Sequence, residues 1–313
     1  MKIVSVILLA IWALIAVKPA AANLFVMPPA HREGPHHMIN DRWGWKISYG
    51  PHGSVVLQTG DSGHIWQDKT PPGFDRSAPD LNDSDTFVSR FGLYANNDAF
   101  ASSFGLSALD SQRCWIAFDS RISSKIIVEQ TRDGGRHWKS RVIDGKSDTL
   151  VLNFVDPRHG FLLALGDPAA GLMAKRVYQT SDGSRTWHLV SSEIASNTAF
   201  YPAGMAFRDH LNGWVAATYH GTPDVPLYRS RDGGKTWHLQ LLPEPNFLQN
   251  GGYGNTDPPQ FFGPHKRDGS LVVNYNSSTI NRFETITYLT RDGGETWQVG
   301  QRRRTKSASR NNR

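Results

Sequence analysis

The 313-residue chain predicts an all-β fold assembled from small repeated units. An eight-residue pattern returns five times, a hairpin signature precedes each copy, and no amphipathic helix stands out beyond residue 22. The copies are Thr59-Gly-Asp-Ser-Gly-His-Ile-Trp66, Thr131-Arg-Asp-Gly-Gly-Arg-His-Trp138, Thr180-Ser-Asp-Gly-Ser-Arg-Thr-Trp187, Ser230-Arg-Asp-Gly-Gly-Lys-Thr-Trp237 and Thr290-Arg-Asp-Gly-Gly-Glu-Thr-Trp297. Repeats at such a spacing mark an array of β units.

Each fixed position has a physical task. Hydroxyl and Asp side chains accept hydrogen bonds from backbone N–H groups a few residues on, which holds a tight turn. The Gly supplies a backbone angle that a side chain opposes. The Trp begins the next strand and carries apolar surface into the packing between units. A turn accounts for every copy, whereas catalysis needs only one. Asp61, Asp133, Asp182, Asp232 and Asp292, with Trp66, Trp138, Trp187, Trp237 and Trp297, are therefore read as structural. Ser184 stands where Gly is usual, so a looser turn is expected in the third copy.

The octets start 72, 49, 50 and 60 residues apart, and a four-stranded unit needs roughly 40–50 residues. Short apolar runs joined by polar turns precede them. Leu106–Asp110 leads to Cys114-Trp115, Leu152–Asp156 to Gly160-Phe161, and Met205–Asp209 to Gly213-Trp214. Weaker versions are His37–Asn40 before Gly44-Trp45 and Gln260–Phe262 before Leu271–Val273. These are hairpin signatures. The order within a unit is strand A, turn, strand B, loop, strand C, octet, strand D. The excess in the longest step falls at Pro71–Asn97, rich in Pro, Asp, Asn and Ser, and reads as a long loop.

The octet resembles the Asp-box, or BNR repeat. That repeat occurs in sialidases, other glycoside hydrolases, sortilin-type receptor domains and the photosystem II stability/assembly factor family. The resemblance covers nearly all of residues 23–300. It implies a β-propeller of four-stranded antiparallel blades with each octet between the third and fourth strands. Five blades are expected, with six as the alternative. It does not imply a photosynthetic role.

Residues 1–22 read as a secretory signal, with Lys2, an apolar stretch from Ile3 to Val17 and the small residues Ala20–Ala22. Export to a periplasm or the extracellular space is expected. Cys114 is the one cysteine, so no internal disulfide forms, and its apolar neighbours place it in a buried strand. The net charge is +6, but the first 22 and last 13 residues hold eight basic residues and no acid. The body between them carries 26 basic and 28 acidic residues and is near neutral. Residues 301–313 read as a basic disordered tail open to weak contact with anionic surfaces. No nucleic-acid motif is present, no cofactor is implied, and a monomer is expected. His31, His36 and His37 lie close together, but their spacing matches no metal-ligand pattern, so no metal site is assigned.

Alternating strand direction puts A–B turns and octets on one face, and B–C loops and D-to-A connections on the other. In the sialidases that the pattern resembles, catalytic groups lie opposite the repeats. The corresponding stretches here are 119–122, 166–172, 219–224 and 274–276, with the connections 67–97 and 243–259. Their Tyr, His, Asn and Asp residues are types that bind sugars or peptides, and loops on rigid scaffolds carry function. Candidate ligand-binding residues are Arg121, Tyr219, His220, Tyr253 and Tyr275. Candidate catalytic carboxylates are Asp167, Asp224 and Asp257. A glycosidase needs two positioned carboxyl groups or a Tyr nucleophile. The sialidase Phe/Tyr-Arg-Ile-Pro motif is missing, and the nearest stretch, Val26–Arg32, does not match it. A noncatalytic exported propeller binding a protein or a surface polymer is the preferred reading. The alternatives are a secreted glycoside hydrolase of sialidase-like type and an envelope component held by its basic tail.

Overall fold

A computed structural model describes residues 32–50, 53–74, 104–120, 123–166, 173–194, 200–219, 225–244, 252–277 and 282–305. The strands form five antiparallel sheets, each built from consecutive segments of chain, as a propeller requires. Blade 1 holds β1 (Arg32–Met38), β2 (Gly44–Gly50), β3 (Gly53–Thr59) and β4 (Trp66–Asp68). Blade 2 holds β5 (Phe104–Ala108), β6 (Cys114–Ser120), β7 (Lys125–Thr131) and β8 (Trp138–Asp144). Blade 3 comprises β9 (Thr149–Phe154), β10 (Gly160–Leu165), β11 (Lys175–Thr180) and β12 (His188–Ser191). Blade 4 comprises β13 (Phe200–Phe207), β14 (Gly213–Tyr219), β15 (Leu227–Ser230) and β16 (His238–Leu239). Blade 5 comprises β17 (Tyr253–Thr256), β18 (Gln260–Phe262), β19 (Asp268–Ser277), β20 (Arg282–Thr290) and β21 (Gln298–Thr305). Among the described residues there is no helix.

Every octet joins strand C to strand D with one hydrogen-bond pattern. The leading hydroxyl donates to the Asp carboxylate at 2.7–3.0 Å. The same hydroxyl accepts the N–H four residues on at 2.9–3.1 Å. The Asp also accepts the N–H four residues beyond itself. The fourth and fifth positions both have positive φ, including Ser62 at 66° and Ser184 at 70°. Ser184 thus holds the same turn as the glycines, against the expected loosening. Its hydroxyl compensates by accepting from Trp187 Nε1 at 3.0 Å.

The A–B turns meet the octets on one face. The N–H of the fourth octet residue donates to an A–B turn carbonyl in every blade, at 2.7–3.0 Å. In blades 1–4 that turn is itself held by Asn40, Asp110, Asp156 or Asp209 accepting two N–H groups just ahead. Carboxylates tied this way are architectural.

Apolar clusters join blade 1 to 2, 2 to 3, 3 to 4 and 4 to 5. Each junction repeats one device. An aromatic residue near the start of strand B lies opposite the residue preceding the octet: Trp45 with Gln58, Trp115 with Gln130, Phe161 with Gln179, and Trp214 with Arg229. The aromatic packs on the next blade, as Trp115 stacks on Phe154 at 3.9 Å and Phe161 on Phe207 at 3.4 Å. Such pairs add about 0.5–1.5 kcal/mol beyond burial of their area. The polar partner ties down the next blade's turns. Gln58 donates to the Ser111 carbonyl at 2.6 Å, and Arg229 donates to that of Gly294 at 3.2 Å. Cys114 is buried and forms no disulfide.

Blade 5 departs from the sequence expectation in three places. Tyr253–Thr256, expected in a connection, forms the first half of strand A. Pro258 and Pro259 lack the N–H that a ladder needs and separate it from β18. Asn274-Tyr275-Asn276, expected as a loop, lies within β19. The basic tail was expected from residue 301, but β21 continues to Thr305, pairing Arg302, Arg303 and Arg304 with Ile286, Thr285 and Glu284. Residues 306–313, the segment 1–22 and the long loop beyond residue 74 lie outside the described residues.

Candidate functional site

The face of blade 5 that would carry the junction device toward a further blade has different chemistry. Residues directly opposite in an antiparallel ladder share a face. Ser270 and Leu289 stand where the other blades pair an aromatic residue with Gln or Arg. The same face continues through Val272 with Thr287, Asn274 with Thr285, and Asn276 with Phe283. It also takes in Tyr253 and Asn255 from β17, opposite Asn276 and Asn274, and Gln301 and Arg303 from β21, opposite Thr287 and Thr285. The opposite face of the same sheet, with Leu271, Val273, Tyr275, Ile286 and Tyr288, is buried against blade 4.

The polar face is partly open. Asn274, Gln301 and Arg303 are exposed, and Asn255, Asn276, Thr285 and Thr287 are half-buried. Phe283 is 39% exposed and Leu289 46%. Thr285 Oγ1 donates to Asn274 Oδ1 at 2.9 Å, and Asn276 Nδ2 donates to Tyr253 Oη at 3.2 Å. These bonds orient both amides. The buried Asn276 Oδ1 accepts no hydrogen bond among the described residues. Among those residues no apolar cluster joins this face to blade 1.

Asp257 extends the same row. Its N–H donates to the Val272 carbonyl at 2.9 Å, so the ladder runs two residues past Asn255. Burial pushes its carboxyl pKa up to about 6. Asp268, at the start of β19 opposite Phe262, is exposed on the same face, so the face carries two carboxylates among the described residues. Asp257 can hold a proton near neutrality and donate or accept a hydrogen bond.

The structure divides the remaining candidates. Tyr253 lies on the polar face. Tyr275 does not, because alternation along β19 turns it inward, where it is 1% exposed. Its hydroxyl meets that of Tyr288 at 2.6 Å, and Tyr288 donates to the Pro243 carbonyl at 2.8 Å. Burial and the Tyr288 contact push the Tyr275 phenol far above its ordinary pKa. Tyr275 therefore pins blade 5 to blade 4, which corrects its assignment as a ligand-binding residue. Tyr219 ends β14 opposite Phe200. Asp167, Asp224, Arg121 and His220 lie outside the described residues. Sequence reasoning missed Asn255, Thr285, Thr287 and Arg303. The available signal was the residue before each octet, which is Gln, Gln, Gln, Arg and then Leu289. Among the described residues no group of three His, Cys, Asp or Glu side chains is placed to hold a metal ion.

No protein-family model and no curated protein sequence matches the chain. Solved structures do. A GH74 enzyme from Niastella koreensis superposes with a TM-score of 0.53 at 12% identity, over 86% of this chain and 38% of its own. A GH74 xyloglucanase from Xanthomonas campestris gives 0.50 at 10% identity, over 85% of this chain and 38% of its own. This chain thus spans well under half the length of either neighbour. Likeness at such identities establishes architecture alone: the protein is an all-β propeller of five four-stranded antiparallel blades.

Proposed function

We propose that the protein is an exported, noncatalytic propeller that binds a glycan of the envelope or an extracellular polymer through the polar face of blade 5. The observation that carries this reading is the switch at Ser270 and Leu289, where the apolar junction device gives way to an open sheet of Asn, Thr, Tyr and Arg. Such side chains, with Tyr253 and Phe283 as apolar surfaces, match the alternating hydroxyls and C–H faces of a sugar. The glycan class is carried over from the xyloglucanase neighbour's name. The octets support placement with the Asp-box propellers of the assembly-factor and sialidase-like type. The sequence of residues 1–22 supports export. The missing Phe/Tyr-Arg-Ile-Pro motif favours binding over hydrolysis of the sialidase type.

The test combines retention on immobilised plant and bacterial polysaccharides with a screen on chromogenic glycosides. Wild type should be retained by at least one neutral polysaccharide. The double substitution Asn274→Ala, Thr285→Ala should weaken retention about tenfold, the loss of roughly 1.4 kcal/mol, with the melting midpoint preserved. Absence of retention on every polysaccharide would refute glycan binding. Turnover that disappears in Asp257→Asn would replace the binding protein with a hydrolase.

A further inference from the structure

On the octet side, the junction of blades 2 and 3 encloses a groove of about 370 Å³ lined by Arg113, Arg132, Pro157, Arg158, Asp182 and Arg185. Four guanidinium groups thus share one groove with one carboxylate. That carboxylate is already engaged. Burial alone would raise its pKa, but donation from Thr186, Thr180 and the Arg185 N–H outweighs burial and brings it down to about 2. Asp182 is therefore ionised and turned into its own octet. Arg113 is paired with Asp110 at 2.7 Å. With the Gln130 amide oriented so that its oxygen faces the neighbouring donors, Arg132 donates to it through Nε at 3.1 Å. Arg158 makes one long bond to the Ser181 carbonyl at 3.4 Å. Arg132, Arg158 and Arg185 are exposed.

The repeat supplies an internal control. The positions of Arg113, Arg132, Arg158 and Arg185 recur at every junction on the same backbone. Between blades 1 and 2 they are Trp43, Gly60, Gln112 and Arg136. Between blades 3 and 4 they are His159, Ser181, Leu211 and Lys235. Between blades 4 and 5 they are Asn212, Arg231, Arg267 and Glu295, and that Glu pairs with Arg231 at 2.9 Å and with Arg229. The fold therefore does not require arginine at these positions. Only the junction of blades 2 and 3 gathers four arginines, and of these only Arg113 is paired with an acid among the described residues.

We propose that this groove binds an anionic saccharide, one carrying carboxylate or sulfate groups along a glycan chain. Guanidinium forks match both oxyanions with paired hydrogen bonds. A groove of this volume holds one or two sugar units. It lacks the aromatic platform on which nucleic-acid bases stack. The site shares no residue with the polar face of blade 5 and stands or falls independently of it.

The test is calorimetric titration of the purified protein with an oligogalacturonate, a sulfated oligosaccharide and inorganic sulfate. The variants are Arg158→Gln, Arg185→Gln, the double variant, and Lys235→Gln as the repeat-equivalent control. At least one anionic saccharide should bind, weakening with added salt. Each arginine substitution should cost about tenfold in affinity and the pair about a hundredfold, with Lys235→Gln unchanged and all melting midpoints preserved. Which saccharide binds identifies the oxyanion. The proposal fails if neither saccharide binds, if Lys235→Gln weakens binding as much, or if inorganic sulfate binds as tightly as the saccharides.

Discussion

Replacing Asp257 with Asn should stabilise the protein near neutrality and leave it unchanged in acid. The carboxyl is half-buried, and burial raises its pKa from 3.8 to about 6. The folded state therefore binds this proton more tightly than the unfolded chain does. The contribution of the group is fully present below pH 3.8 and is lost as pH rises through about 6. At about 1.4 kcal/mol per pH unit, the interval corresponds to a penalty of about 3 kcal/mol at pH 7. Asn keeps the shape and carries no charge, so it removes the penalty. Urea melts of both proteins at intervals from about pH 3 to pH 8 would show the curves together at the acid end, separating between about pH 4 and pH 6, and parallel above about pH 7. A difference constant across that range would refute desolvation as the cause. An Asn variant less stable at pH 7 would show that the ionised carboxylate is held by favourable contacts instead.

Removing one octet carboxylate should cost in proportion to the donors it engages. Asp232→Ala frees the Ser230 hydroxyl, the Lys235 and Thr236 N–H groups and the Thr236 hydroxyl, and should cost about 2 kcal/mol in chemical denaturation. Asp61→Ala frees the Thr59 hydroxyl and the Ile65 N–H and should cost about 1 kcal/mol; an equal or reversed ranking would break the proportionality. Glu295→Gln should loosen the junction of blades 4 and 5, because Arg229 is buried and pairs with Glu295. Arg229 keeps the Gly294 and Asn212 oxygens, so about 2 kcal/mol is expected rather than the full cost of a stranded charge. Donation from Arg229 and Arg231 lowers the Glu295 pKa from 4.5 to about 2. The stabilisation is present above pH 4.5 and lost as pH falls toward 2, so wild type and variant should converge in acid melts.

The octets made the fold legible because a turn of this kind is written in local chemistry. Hydroxyl, carboxylate, positive-φ residue and Trp all act within eight residues. The A–B turns were legible for the same reason, through Asp110, Asp156 and Asp209. The candidate site was legible only in part. Asp257 and Tyr253 were singled out for residue type and place, and both fall on the polar face. Tyr275 was singled out on the same grounds and proved to be a pin. What separates Tyr253 from Tyr275 is which side of the sheet each faces, and that depends on strand register across β17 and β19.

By itself the sequence determined the repeat, the strand order within each unit and the sharing of one face by octets and A–B turns, because local hydrogen bonding dictates them. Tertiary structure decided which face of the last blade is open. It also extended β21 into the basic stretch and gathered four arginines from two blades into one groove. Those features arise between segments far apart in the chain, where packing and register act and local pattern carries no information.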